Sequence, residues 1–475
     1  MALQRRLQNT GRLLTLLVLV LGALLTPNAG VGVAETNSWE PYLVSAGDPS
    51  GPWLLTNVYG TLYFRGYDSA HGQELWKSDG TAAGTVMIKD INPGSANSKL
   101  WDLTNVNGTL FFKADDGAQG QELWKSDGTL TGTVMVKDIN PGSAASVPRL
   151  FTNVYGSLFF GADDGVHGEE LWKSDGTFTG TVMVKDINPD SAASSPSPLA
   201  NVFGTLWFSA DDGAQGQELW KSDGTLTGTV MVKDINPGSA GSSPYLLGSV
   251  DRTLYFTADD GMHGQELWKS DGTAAGTVMV KDIKLGSAAS SPGRLGNLNG
   301  SLWFAADDGM HGRELWKSDG TFTGTVMVKD INPGSAASSP SPLANVFGTL
   351  WFRADDGAQG QELWKSDGTP TGTVMVKDIN PGSADSSLGF AASVDRRLYF
   401  MADDGTHGPE LWSSFGTVWD TVLVKDINPG SAGSYPMFLI DVNGQLFFAA
   451  DDGIHSGLKL WAMPKVYHVY LPIIG

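Results

Sequence analysis

Apolar and polar residues alternate along this chain in short stretches, each closed off by glycine, asparagine, aspartate or proline. Between residues 101 and 139 the alternation predicts four strands: a around Leu103–Val106, b at Thr109–Ala114, c at Glu122–Ser126 and d at Thr133–Ile139. The connections carry turn chemistry. Asn107-Gly108 joins a to b and suits the type I′ hairpin, whose two central residues take positive φ. The b–c link reads Asp-Asp-Gly-x-(His/Gln)-Gly, the c–d link Ser-Asp-Gly-Thr-x-x-Gly-Thr, and the d–a link Asn-Pro-Gly-Ser-Ala. No stretch sustains a helical period. On strand b, Leu110 and Phe112 point one way and Phe111 the other, so the small sheet is apolar on both faces and has to be sandwiched.

The pattern repeats every 48 residues. Glu-Leu-Trp places tryptophan at Trp76, Trp124, Trp172, Trp220, Trp268, Trp316, Trp364 and Trp412, and an altered ninth copy ends at Trp461. Leu-aromatic-Phe keeps the same phase from Phe64 to Phe448, which makes nine units. Meanders of this size that must stack on both faces close radially, so the fold expected is all-β: a propeller of nine four-stranded antiparallel blades. Eight blades with a displaced end unit, or an open solenoid, are the alternatives, since propellers typically have about 4–8 blades. Unit nine supplies strands a (Phe438–Val442), b (Gln445–Ala449) and c (Leu458–Ala462) but no strand d. Pro41–Val44, ahead of the first strand a at Trp53–Val58, is expected to complete that blade, with Val466–Leu471 as the competing donor.

Residues 1–34 carry Arg5, Arg6 and Arg12, then the apolar run Leu13–Leu25, then small residues ending at Ala34. That order predicts a secretory signal peptide, followed by one propeller domain over 35–465 and a C-terminal strand or tail over 466–475. Removing those three positive charges takes the formal charge from −20 to −23. The absence of cysteine excludes disulfides and thiolate metal sites, and the strong negative charge excludes a nucleic-acid partner. No transmembrane segment is expected in the mature chain.

The run Glu122-Leu123-Trp124-Lys125-Ser126-Asp127-Gly128-Thr129, followed by Gly132-Thr133, resembles the signature of the ELWxxDGT repeat family, hyalin-like secreted bacterial repeat proteins. The resemblance covers essentially the whole mature chain in eight in-phase copies. It implies an exported repeat protein with no reaction attached. The eighth copy departs from the signature, with Phe415 in place of aspartate and Asp420 in place of glycine, and the ninth keeps only Leu460-Trp461.

The candidate metal ligands are the paired acids Asp115 and Asp116, Asp163 and Asp164, Asp211 and Asp212, Asp259 and Asp260, Asp307 and Asp308, Asp355 and Asp356, Asp403 and Asp404, and Asp451 and Asp452. Unit one has Tyr67-Asp68 instead. Carboxylates in a glycine-rich loop, near the carbonyls of Asp138-Ile139-Asn140, offer the oxygen ligands Ca²⁺ takes. Capping of their own turns is favoured over calcium, because the spacing fits no EF-hand loop or nonapeptide calcium repeat. His71, His167, His263, His311, His407 and His455 share one repeat position with Gln119, Gln215 and Gln359, which points to a turn hydrogen bond rather than a metal site. Ser-Asp-Gly-Thr reads as a structural turn. Tyr63, Trp207, Trp303 and Trp351 read as packing between blades.

Catalysis is disfavoured because every acid recurs in near-identical copies, whereas an active site needs differentiated groups. Arg149, Arg252, Lys284, Arg294, Arg313, Arg396, Arg397 and the unusual blade eight look scattered, as drift would leave them. Recent duplication is visible: Ser191–Ala240 recurs at Ser335–Ala384 with only Ser209 to Arg353 and Leu226 to Pro370 changed. The expectation is a secreted or cell-surface binding or structural-interaction propeller, not an enzyme. Its partner would be a glycan, protein or envelope component held by a multivalent acidic face. The alternatives are an exported hydrolase with Asp/Glu at the mouth of the channel, and a purely structural envelope component.

Overall fold

A computed structural model describes residues 40–465; the signal peptide expected at 1–34 and the competing strand Val466–Leu471 lie outside the described residues. The described chain forms nine four-stranded antiparallel sheets. In the second blade the strands are Trp101–Val106, Thr109–Asp115, Gln121–Ser126 and Val134–Lys137, paired in that order. Strand a begins two residues earlier than the alternation suggested, through a bulge between Trp101 and Thr104 at which Asp102 takes φ 59°. Strand d is shorter than expected. It stops at Lys137 because the next amide in line, Ile139 N, is donated to the Glu122 carboxylate at 2.8 Å instead of to a strand.

The ring closes as anticipated. Tyr42–Leu43 pairs with the third strand of the last blade, Tyr42 opposite Ala462 and Leu43 opposite Trp461, and supplies its missing strand d. The Val44 amide adds a bond to Leu460 O at 2.9 Å.

The core consists of interfaces. One cluster joins Tyr63, Leu75 and Ile88 of blade one to Leu110, Phe112 and Trp124 of blade two; the next joins Phe111 and Leu123 to Leu158, Phe160 and Trp172 of blade three. The two faces of strand b thus bury into different neighbours, and each such side chain contributes about 1.5–3 kcal/mol only while the neighbour is present. Tyr63, Trp207, Trp303 and Trp351 are buried in these interfaces. They explain a glycine: Gly128, at φ 86°, has no room for a Cβ because the Tyr63 hydroxyl of the preceding blade lies 2.3 Å from where it would stand.

The first strands of neighbouring blades adjoin one another all the way round, so they line the central channel. The meander therefore puts the Asp-Asp-Gly and Asn-Pro-Gly loops at one end of the ring and the a–b and c–d turns at the other.

Candidate functional site

The paired aspartates cap their own loops. Asp115 Oδ1 accepts Gly117 N at 2.8 Å, and Asp116 Oδ1 accepts Ala118 N and Gln119 N at 2.9 and 2.8 Å. The same bonds recur at Asp163/Asp164, Asp211/Asp212, Asp259/Asp260, Asp307/Asp308, Asp355/Asp356, Asp403/Asp404 and Asp451/Asp452. Where the loop carries histidine, Nδ1 meets the second oxygen: His167 with Asp164 at 2.9 Å, His263 with Asp260 at 2.8 Å, and His455 with Asp452 at 2.6 Å. In unit one His71 pairs with Asp68. Glutamine replaces histidine without changing the cap, because the cap uses the residue's backbone amide.

Among the described residues no group of three or more His, Asp or Glu is placed to hold a metal ion. The buried carboxylate oxygens left without a partner lie elsewhere, on Oδ1 of Asp138 and its repeats and on Oε1 of Glu74, while Oδ2 of Asp138 accepts Gly142 N at 3.2 Å. With the paired aspartates engaged in capping, the melting temperature is expected to be the same in EDTA and in millimolar CaCl₂, read by calorimetry; a clear rise with Ca²⁺ would establish binding that these caps do not anticipate.

The glutamate of Glu-Leu-Trp is a structural centre that the repeat pattern had not singled out. Glu122 is fully buried and accepts Ile139 N and Ser146 N at 2.8 Å and Ser146 Oγ at 2.6 Å, so one carboxylate ties strand c to the d–a loop. Seven more blades, from Glu74 to Glu410, bury the same glutamate, and each accepts the equivalent isoleucine amide. The available signal was its placement: Glu122 lies on the same strand face as Trp124, an inward position. Burial pushes Glu122 and Glu362 up to about 7 and Glu74 up to about 8, from an ordinary 4.5, against the opposing pull of the hydrogen bonds.

The sign of the pH effect follows from these directions. A carboxyl raised in the fold holds its proton where the unfolded chain has lost it, so stability falls as pH rises from about 4.5 through about 7 to 8. His71, His167, His263, His311 and His407 are raised by their aspartate bonds, so their contribution is present below 6.5 and lost as pH rises through the folded value. Turn aspartates such as Asp127 are lowered from 3.8 by their bonds to Thr129, and their contribution is lost only as pH falls below that. The melting temperature is therefore expected to be higher at pH 5 than at pH 8, by about 5 °C or more. A flat or rising profile over that window would contradict the assignment.

Asymmetry enters at the first positions of strand a, where the copies stop agreeing: Trp53, Trp101, Arg149, Ser197, Tyr245, Gly293, Ser341, Gly389 and Met437 occupy one repeat position. From blade eight to blade two the channel wall carries an unbroken aromatic arc. Phe390 lies 5.4 Å from Phe438, Phe438 lies 5.0 Å from Trp53, and the Arg65 guanidinium sits 5.5 Å from Trp53 and 4.6 Å from Trp101. Trp53 and Trp101 remain about two-fifths exposed, whereas Arg65 is buried. Beside Trp101 opens a cavity of 620 Å³ lined also by Asp102, Thr104, Leu150 and Phe151. Asp102 is paired with Lys113 at 3.0 Å and stands where the other blades have leucine, phenylalanine, proline or arginine. The arc opens at the end that carries the Asp-Asp-Gly loops.

No protein-family model and no curated protein matches the chain. Three solved chains similar to it in fold are a puromycin hydrolase (14% identity over 90% of this chain and 61% of that one, TM-score 0.38), a prolyl endopeptidase (10% over 74% and 54%, TM-score 0.41) and the GH74 enzyme of Niastella koreensis (12% over 89% and 74%, TM-score 0.37). The chain spans about three-fifths of the length of the first and just over half of the second. The expectation that the chain is not an enzyme is not carried further, since these solved chains are named as a hydrolase and a prolyl endopeptidase. At these identities the likeness describes the fold and assigns no activity to this chain.

Proposed function

We propose that the chain is an exported binding propeller that takes a glycan or another envelope component at the mouth of its channel. The aromatic arc from Phe390 to Trp101 is the observation that supports this reading, because Phe390, Trp53 and Trp101 stay exposed along it and the repeat does not explain them. Indole faces stack on the C–H faces of sugar rings, and the acid and threonines of the adjoining cavity supply the few polar contacts that orient a ligand. The site differs from the one the sequence suggested, since the repeated aspartates are turned to their own backbone. Export rests on residues 1–34 and on the resemblance to the ELWxxDGT repeat family. A Trp53→Ala, Trp101→Ala double variant is expected to keep the wild-type melting temperature within about 3 °C and to lose about tenfold or more in retention on cell-envelope polysaccharide. Equal retention by both proteins, or none by the wild type at micromolar concentration, refutes the reading.

A second reading, an exported hydrolase, draws support from Asp102, an acid that the other blades lack, placed at the edge of the same cavity. Its test is release of reducing ends or peptide fragments from envelope material. Activity that Asp102→Asn abolishes while binding persists would establish it.

A further inference from the structure

The departures of blade eight, scattered in the sequence, converge in space. At the end of the ring opposite the Asp-Asp-Gly loops, a cleft of 730 Å³ between blades seven and eight is lined by Phe347, Lys365, Asp367, Arg396 and Phe415. The Arg396 guanidinium lies 4.7 Å over the Phe347 ring, and Arg397 lies 4.3 Å over Phe415. Lys365 Nζ is fixed by Gly416 O at 2.8 Å. This corrects the expectation that Arg396 and Arg397 reflect drift.

The corresponding cleft between blades four and five measures 370 Å³ and is lined by one lysine, Lys221, and two aspartates, Asp223 and Asp271, while Arg252, at the repeat position of Arg396, lies 5.7 Å over Phe203. Between blades seven and eight a lysine and an arginine face one aspartate. Phe415, standing where Asp271 stands, removes one negative charge and adds an exposed ring.

Two local rearrangements keep this cleft in place. In blades one to seven the turn aspartate fills the space beside its glycine: a Cβ on Gly372 would lie 2.0 Å from Asp367 Oδ1. Blade eight exchanges the two roles. Asp420 replaces that glycine and caps the turn in reverse, accepting Phe415 N, Gly416 N and Thr417 N at 2.9 to 3.0 Å, which leaves position 415 free for phenylalanine. Arg396 holds φ 67° at a turn position where seven other blades have glycine between 74° and 88°. A left-handed arginine costs about 1–2 kcal/mol relative to glycine. The strained residue is the one whose guanidinium lines the cleft.

We propose that this cleft binds an oxyanion carried on an aromatic ring, with the ring against Phe347 and Phe415 and the anion on Arg396 and Lys365. A guanidinium stacked on an aromatic face still presents its edge to a planar carboxylate or to a phosphate. The site is independent of the channel mouth. Titration calorimetry with benzoate, phenyl phosphate, inorganic phosphate and benzyl alcohol tests it and separates carboxylate from phosphate as the anion. The aryl oxyanions are expected to bind about tenfold or more tightly than benzyl alcohol and inorganic phosphate. Two variants restore the repeat consensus and so retain the fold: Arg396→Gly, expected to raise the melting temperature, and Phe415→Asp with Asp420→Gly. Each is expected to weaken aryl-oxyanion binding about tenfold or more. No heat from either aryl oxyanion up to about 10 mM, benzyl alcohol binding equally well, or unchanged affinity in both variants would each overturn the proposal.

Discussion

Removing residues 1–45 is expected to lower the melting temperature by about 5 °C or more and to make the ring self-associate beyond the state of the full chain. The segment that closes the ring is short. Tyr42 and Leu43 make the strand pairing, and Val44 is buried with Phe64, Trp76, Phe447 and Leu460 at the junction of blades nine and one. Burial of Val44 contributes about 1.5–3 kcal/mol, and the half-buried Leu43 adds a smaller share. Polar ties add to this: the Tyr42 hydroxyl reaches Gly80 O at 3.3 Å, Gln445 Nε2 reaches the Tyr42 hydroxyl at 2.9 Å, and Lys425 Nζ lies 3.3 Å from Glu40. Without them Lys459–Ala462 becomes an open edge strand with unpaired amides. Scanning calorimetry and size-exclusion chromatography read the two effects. A truncated protein that melts and elutes with the full chain would show that closure rests on the remaining contacts between blades one and nine.

Blade number, the four-strand unit and the closing segment were legible in the sequence because each depends on repeated short-range rules. Asn107-Gly108 fixes a hairpin, Leu110 and Phe112 fix a face, and a missing strand d after Trp461 requires a donor. What escaped was set by contacts between units. Lys125 Nζ reaches Gly176 O at 2.8 Å and Lys137 Nζ reaches Thr181 O at 2.9 Å, each staple joining one blade to the next across more than 40 residues. The repeat shows that such lysines recur but not what they touch. The aromatic arc and the blade-eight cleft escaped for the opposite reason. Both are built from positions where the copies disagree, Trp53 and Trp101 in one and Arg396 and Phe415 in the other. Disagreement resembles drift until the ring brings those residues together. The paired aspartates lay between these cases: their loop and its cap were foreseen, and the histidine bond followed from the interchange of His and Gln.

The buried glutamates carry the other large expected effect. In Glu218→Ala, four donors lose their acceptor at once: Ile235 N, Asn236 N, Ser242 N and Ser242 Oγ, held at 3.0, 3.3, 2.9 and 2.6 Å. Both Glu218 and Ser242 are fully buried, so water does not replace the carboxylate freely, and the expected loss is about 3–5 kcal/mol. Glu218→Gln separates hydrogen bonding from charge. Its amide oxygen still accepts Ser242 N and Asn236 N, whereas its NH₂ faces Ile235 N, so the variant should fall between alanine and wild type. Burial raises Glu218 above the ordinary carboxylate range. In the wild type this site therefore contributes to the decline of stability from pH 5 towards pH 8, and the glutamine variant should show a shallower decline because one ionisable group is gone. Urea denaturation at the two pH values measures both quantities. If the alanine variant is as stable as wild type, the glutamate is no anchor of the d–a loop. If the glutamine variant keeps the full pH slope, the buried carboxyl is not what titrates.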